Sequence, residues 1–301
     1  MKSSHMRRSW PCVVGAAGLI ALAGCGGSST KSQSLKVSEK DVGAKQYAYE
    51  GIRPLKPGTV TIDFTNSGKV PHDFQLLRAD SGHPADEVKA TLTKLVESQK
   101  PLPVPSWFHA AGGVGPTAPG TSSTAKVVLK TGTYYVADTQ TPPNANNAPP
   151  FLTQGAFAPI KASGSKVGGS LPSESTKVTI KDVGKDKFRF DNSPLKTGTV
   201  TFEFNNTSKQ DHHILAVPLL PGKTVAEVKK ALASNGPPSG PPPVDFGKLT
   251  GAAILDPKQK QVAQLHLAKP GNYVLLCFLT DRNGKGKPHF LEGLLKEVKV
   301  S

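Results

Sequence analysis

Methionine is nearly missing from this chain of 301 residues: the only two are Met1 and Met6, at the N-terminal end. The body of the protein therefore has no thioether to offer a metal. Cysteine is almost as scarce, with three residues. Cys12 lies within an N-terminal leader and Cys25 at its end, which leaves Cys277 with no intramolecular partner and excludes a disulfide scaffold. Lysines are scattered and do not run together with aromatics, which argues against nucleic-acid binding. There is no Ser-His-Asp pattern, Walker loop, paired-carboxylate motif or His-x-His pair. The expectation is a protein that is not an enzyme.

One long apolar run is present, "CVVGAAGLIALAG" after Arg7 and Arg8, too short to span a bilayer with flanks of its own. Basic region and apolar run together read as a secretory signal. The run closes on Leu22-Ala23-Gly24-Cys25, which resembles the lipobox of bacterial lipoproteins. That resemblance implies lipid attachment at Cys25, with residues 1–24 removed and the protein extracytoplasmic, anchored by its lipid to a bacterial membrane. Residues 25–35 read as a flexible tether. Loss of 1–24 removes Lys2, Arg7 and Arg8 and leaves 34 basic against 22 acidic residues, a net charge of +12. Such a charge favours anionic headgroups or an acidic partner protein.

The body of the chain is a tandem repeat. "LKPGTVTIDFTNSGK" (55–69) recurs as "LKTGTVTFEFNNTSK" (195–209), and "KTGTYYVAD" (130–138) recurs as "KPGNYVLLC" (269–277). Blocks in one order at nearly constant offset mean two copies of one domain, placed at 36–163 and 176–301 with a Gly/Ser-rich linker at 164–175. Within a copy the apolar period is two: Val60, Ile62 and Phe64 share one face, as do Val200, Phe202 and Phe204. Short β-rich runs with Gly/Pro punctuation predict a sandwich or barrel. One helix interrupts each copy, the first through Val88, Leu92 and Leu95, the second with Thr224 as N-cap and Gly236 as stop.

Cys277 has two readings. It is a small buried hydrophobe, common for free cysteine, or a metal ligand. Asn206 with His212 or His213 follows an early strand, Gly271-Asn272-Tyr273 leads to Cys277, and His289 lies downstream. This arrangement resembles the cupredoxin family of plastocyanin and azurin. The resemblance implies two tandem Greek-key β-sandwich domains, mainly β, each with one inserted helix. It also implies one copper in the C-terminal domain, on His212, Cys277 and His289, with His213 as the alternate for His212. A thiolate suits Cu(I) and imidazole suits both oxidation states. Electron transfer or copper handling follows, with an acidic redox or copper-delivery partner.

Three departures stand out. Eleven residues separate Cys277 from His289, where the family has only a few. Leu294, which cannot ligate, stands where the axial Met belongs, and by family analogy this raises the potential. The helix is an insertion. In the first copy His72 matches His212, Asp138 replaces Cys277 and Pro150 falls at His289, so this domain is expected to be metal-free. His83, His109 and His266 have no partner pattern. The competing reading is a metal-free binding or structural lipoprotein that keeps the fold alone.

Overall fold

The computed structural model describes residues 32–43, 46–98, 100–142, 148–234 and 240–301. The leader, Cys25 and Gly236 lie outside the described residues. The first repeat supplies β1 (Gln33–Gly43), β2 (Gln46–Glu50), β3 (Gly58–Asn66), β4 (His72–Ala79), α1 (Ala85–Glu97), β5 (Phe108–Thr117), β6 (Ser122–Leu129), β7 (Gly132–Ala137) and β8 (Phe157–Ala162). The second supplies β9 (Lys177–Gly184), β10 (Lys187–Asn192), β11 (Gly198–Asn206), β12 (His212–Pro218), α2 (Val225–Ala233), β13 (Thr250–Leu255), β14 (Lys260–Leu267), β15 (Gly271–Leu276) and β16 (Leu295–Val300).

Each repeat forms two four-stranded layers, ordered β2-β1-β3-β6 over β8-β7-β4-β5 and β10-β9-β11-β14 over β16-β15-β12-β13. The first and third strands of each repeat run parallel, with Glu39 opposite Asn66 and Ile180 opposite Asn206. The alternating residues fill the space between layers. Val60, Ile62 and Phe64 form one core with Leu35 and Phe74. Phe202 and Phe204 form the other with Ile180, Phe190 and Cys277. This is a cupredoxin-like β-sandwich, built twice.

The strand leading into Cys277 is apolar on both faces for a specific reason. Tyr273 and Leu275 face the sandwich core, while Val274 and Leu276 pack in the cluster with Val228 of α2. The inserted helices thus cover the outer face of one sheet in each repeat, and α1 does the same with Val88 and Leu92. Thr224 caps α2 in a reciprocal box with Glu227, which satisfies two of the orphan N–H groups of the first turn.

Two boundaries differ from expectation. Gln33–Leu35 belong to β1, because they pair with Val60–Ile62 and Leu35 is buried, so the expected tether is shorter at this end. The Gly/Ser-rich linker is not free. Val167 exchanges backbone hydrogen bonds with Pro57 and Thr59, and Leu171 is buried.

The repeats join edge to edge, β6 on β14 and β5 on β13, so each sheet runs through both. Ladder pairing at the joint is sparse: Val114 lies opposite Ala252, Ala111 opposite Leu255, and Lys126 opposite Val262. Side-chain amides supply the rest. Gln75 accepts from Ile254 N–H at 2.7 Å and donates to its carbonyl at 3.1 Å, while Gln261 accepts from Gly113 N–H at 2.8 Å. The strands approach so closely that a Cβ on Gly115 would lie 2.3 Å from the Gly251 carbonyl oxygen. Gly115→Val is expected to cost about 1–3 kcal/mol by overpacking. Gly240→Val, where a Cβ meets nothing within 4 Å, serves as control. Urea unfolding of both variants checks this, and equal midpoints would show that the close approach does not matter.

Candidate metal centre

His212 opens β12 and Cys277 follows the last residue of β15, two strands that pair through Leu215 and Leu276. His289 begins a single 3-10 turn, His289–Leu291, placed by its own N–H donating to Leu279 O at 2.8 Å. The fold brings the three side chains to one end of the second sandwich, all fully buried. Each imidazole Nδ1 lies 3.7 Å from Cys277 Sγ. A first-row ion bonded at about 2.3 Å to sulfur and about 2.0 Å to nitrogen, 120° apart, spans an edge of about 3.7 Å. Thiolate with two imidazoles is also the donor set that suits copper. Geometry and chemistry therefore both fit the copper expected here.

The surroundings hold the imidazoles in place. The Phe188 ring lies 4.8 Å from the His212 ring and 4.7 Å from the His289 ring, and the two imidazoles are 4.5 Å apart. His289 Nε2 faces Asp281 Oδ1 at 3.4 Å, which favours the proton on Nε2 and leaves the Nδ1 lone pair toward the sulfur. His212 Nε2 is buried with no partner. An unmet donor of this kind costs about 1–3 kcal/mol, which a metal bond at Nδ1 would offset. Burial pushes the Cys277 thiol up to about 12 and the imidazoles of His212 and His289 down to about 2 and about 4. At neutral pH the imidazoles are neutral and the thiol keeps its proton.

The alternate, His213, is not part of this cluster: its Nε2 accepts from Phe278 N–H at 2.9 Å. Leu294 is fully buried in the same core as Cys277, and its carbonyl accepts from Cys277 N–H at 3.1 Å. His83 stacks on Trp107 and meets Glu87 at 3.1 Å. His266 pairs with Thr199 at 3.1 Å. His109 bridges the repeats through Asp256, at 2.9 Å.

The long segment from Phe278 to Pro288 docks on the first repeat. Arg282 donates to both oxygens of Asp211, at 2.7 and 2.6 Å, to Asp256 at 3.1 Å and to Phe108 O at 2.8 Å. Val104 N–H donates to Arg282 O at 2.7 Å. Gly284 lies so near Pro103 that a Cβ would fall 2.4 Å from its nitrogen, with φ at +70°. Asp211 precedes the His212 imidazole in sequence, so one guanidinium ties the loop, a neighbour of the cluster and the other repeat together. Burial pushes the Asp211 carboxyl up to about 7 even beside this guanidinium.

The first repeat shows what occupies the same place without the thiol. His72 opens β4 as His212 opens β12, and Tyr47 lies against it at 5.2 Å as Phe188 does against His212. Phe151, at 4.6 Å from the His72 ring, stands where His289 stands. This corrects the expectation that Pro150 matches His289: Pro150 and Pro288 both precede the 3-10 turn, and the offset there is 138 rather than 139. Asp138 Oδ2 lies 2.5 Å from His72 Nδ1, and Glu39 Oε1 lies 3.3 Å from it. Burial pushes both carboxyls up, Asp138 to about 8 and Glu39 to about 11. Sequence reading missed Glu39, Phe151, Phe188 and Asp281. Only the aromatic pair Phe188 and Phe190, repeated as Tyr47 and Tyr49, left a sequence signal.

No family model and no curated protein matches this chain. Among solved structures, similarity extends to an auracyanin of Roseiflexus castenholzii at 24% identity. It covers 42% of this chain and 98% of that one, with a TM-score of 0.26. Auracyanin A of Chloroflexus aurantiacus, described as a "blue" copper protein, is similar at 16% identity, covering 43% and 99%, with a TM-score of 0.31. A multicopper oxidase is similar at 15% identity, covering 89% of this chain and 88% of its own, with a TM-score of 0.25. That last similarity corrects one expectation. Similar chains that span both repeats include multicopper oxidases and a copper-containing nitrite reductase, which are enzymes, so the expectation that this protein is not one does not stand.

Arg282→Ala leaves Asp211 and Asp256 without their guanidinium and is expected to lower stability by about 3 kcal/mol. Arg282→Lys is expected to recover little, since an ammonium lacks the planar fork. Chemical unfolding of the metal-free chain measures both, and an unchanged midpoint in Arg282→Ala would remove the clamp from the account.

Proposed function

We propose that this chain is an exported, lipid-anchored copper protein that transfers electrons through one copper held by His212, Cys277 and His289. The observation that carries the reading is the pair of imidazole Nδ1 atoms 3.7 Å from a single buried thiol. Bound copper would supply a one-electron couple. The residues of the chain do the rest. The three donors are fully buried beneath Phe188, which keeps water out and opposes release of the ion. That favours electron transfer over copper delivery, which needs an open, exchangeable site. Phe278 follows Cys277 directly and is 37% exposed, giving a partner an apolar contact one residue from the sulfur. The mature charge of +12 suits an acidic redox partner. Anchoring rests on Leu22-Ala23-Gly24-Cys25, and no helix among the described residues is long and apolar enough to cross a membrane.

In a Cu(II) titration of the chain lacking residues 1–25, a thiolate-to-copper charge-transfer band is expected to develop and to saturate at one equivalent. Cys277→Ser should abolish the band, and a band that persists would remove Cys277 from the site. Ligation requires the thiolate, and at neutral pH the buried thiol is protonated while the imidazoles are neutral. Binding at pH 7 should therefore release about one proton, read by calorimetry in buffers of different ionisation enthalpy. Release of none would mean that the thiol stays protonated and does not ligate. In the full chain, Cys25→Ala should prevent incorporation of labelled fatty acid, and continued labelling would place the anchor elsewhere.

A further inference from the structure

The cluster in the first repeat is not a neutral remnant of the second. Three side chains, Glu39, His72 and Asp138, are fully buried and bring one ligand atom each within 4.8 Å of one another. In strand register Glu39 occupies the place of Ile180, since both lie opposite the same position of the repeat, Asn66 and Asn206. Exchanging a core isoleucine for a glutamate costs several kcal/mol unless something pairs with the carboxylate. The His72 imidazole approaches it, with Nδ1 3.3 Å from Glu39 Oε1, but the same Nδ1 lies closer to Asp138 Oδ2, at 2.5 Å. Among the described residues neither oxygen of Glu39 has a well-formed hydrogen bond, and His72 Nε2 has none either, with Asp41 Oδ1 4.0 Å away. Asp73, the other buried carboxylate nearby, is already engaged by Thr139 N–H at 2.9 Å, Thr139 hydroxyl at 2.6 Å and Gln140 at 2.8 Å. Among the described residues Glu39 is thus a buried carboxyl whose one cation-capable neighbour, the imidazole that matches His212, is shared with Asp138.

We propose that the first domain carries a second metal site, formed by Glu39, His72 and Asp138, that takes a divalent cation of the zinc class. One imidazole with two carboxylate oxygens and no thiolate is a zinc donor set, and it lacks the soft ligand that selects Cu(I). Two carboxylates neutralise a divalent charge, so the occupied cluster is electrically neutral in the core. The two repeats then hold different metals at matching places: replacing Cys277 by Asp138 and Ile180 by Glu39 changes the class of ion accepted. This assignment does not depend on copper in the second domain.

The test uses the chain lacking residues 1–25 with Cys277→Val and His289→Phe, which removes the second-repeat cluster. Titration with Co(II), followed by visible absorption and displacement with Zn(II), is expected to show one tight equivalent. Glu39→Gln and Asp138→Asn, each added to this background, should weaken it by at least about tenfold, the lower bound for losing even an outer-shell partner. Where Gln at 39 fails to fold, as judged by circular dichroism, Glu39→Ile gives the apolar residue that the second repeat packs there, and it too should lose the ion. The wild-type chain should bind one equivalent more than the Cys277→Val, His289→Phe chain. No equivalent bound in that chain, or binding that survives both carboxylate substitutions, would overturn the assignment and leave Glu39 and Asp138 as carboxyls that keep their protons. A copper band in the wild-type chain alongside either result would leave the second domain's reading intact.

Discussion

Each sandwich buries an imidazole at the same place, His72 in the first repeat and His212 in the second, both fully out of reach of water. A buried imidazole is tolerable only if its nitrogens are matched by what packs against them. Everything particular to each repeat follows from that match. Around His212 the neighbours are a thiol, a second imidazole and an apolar wall of Ile180, Phe188 and Leu294. Around His72 they are two carboxyls, with Phe151 where the second imidazole stands. The strand framework is the same in both, down to the acceptor at the next position of the strand. His213 accepts from Phe278 N–H as Asp73 accepts from Thr139 N–H, at 2.9 Å in each case. That shared contact fixes the residue after Cys277 or Asp138, and with it the aim of the side chain before it.

The joint between the repeats works by a different economy. Four strands meet edge to edge with few ladder pairs, and amide side chains fill the gaps. Joining β6 to β14 and β5 to β13 covers four strand edges that would otherwise be free to pair with other chains. It also makes the first repeat a structural part of the second-repeat site. The segment between Cys277 and His289 is long because it reaches across to Pro103, Val104 and Phe108, and Arg282 anchors it there. A short segment would hold the cluster from one side only. The length that looked like a departure from the family pattern is the span of an inter-repeat brace.

Much of this was legible in the sequence because it is periodic or repeated. The alternation in Val60, Ile62 and Phe64 names a buried face directly, and a block that recurs at constant offset names a second copy. The unpaired Cys277 pointed to His212 and His289 through the resemblance of their arrangement to the cupredoxins. What stayed hidden depends on strand register and on contacts across layers. Glu39 reads as one more charge in "KVSEKDV", and only the parallel pairing with Asn66 turns it inward. Phe151 was missed because a one-residue change in offset separates it from His289, and local alignment favoured Pro150. Asp281 sits in a Gly/Lys-rich loop whose composition says nothing about its aim. The last residues of the tether became strand because Leu35 has a core position to fill.

A duplicated fold with a buried imidazole at the same place in each copy can diverge at little structural cost. Replacing Cys277 by an acid, or Ile180 by Glu39, changes the side chains that meet at the end of a sandwich without touching its strand pairing. The cost falls on electrostatics, because a buried carboxylate needs a counter-charge or a proton. The first repeat meets part of that cost by raising the pKa of Asp138 and Glu39, so that both carry protons when no cation is present. The second meets it by keeping its core apolar and its thiol protonated until a metal displaces the proton. Among the described residues both solutions leave an imidazole Nε2 without a hydrogen bond in the core, at His72, where Asp41 Oδ1 is 4.0 Å away, and at His212. Two copies would not keep the same unmet nitrogen by packing alone, since an apolar residue of similar volume would be cheaper there. The common feature is the opposite nitrogen, Nδ1, held toward Asp138 or Cys277, and that is where each repeat keeps its chemistry.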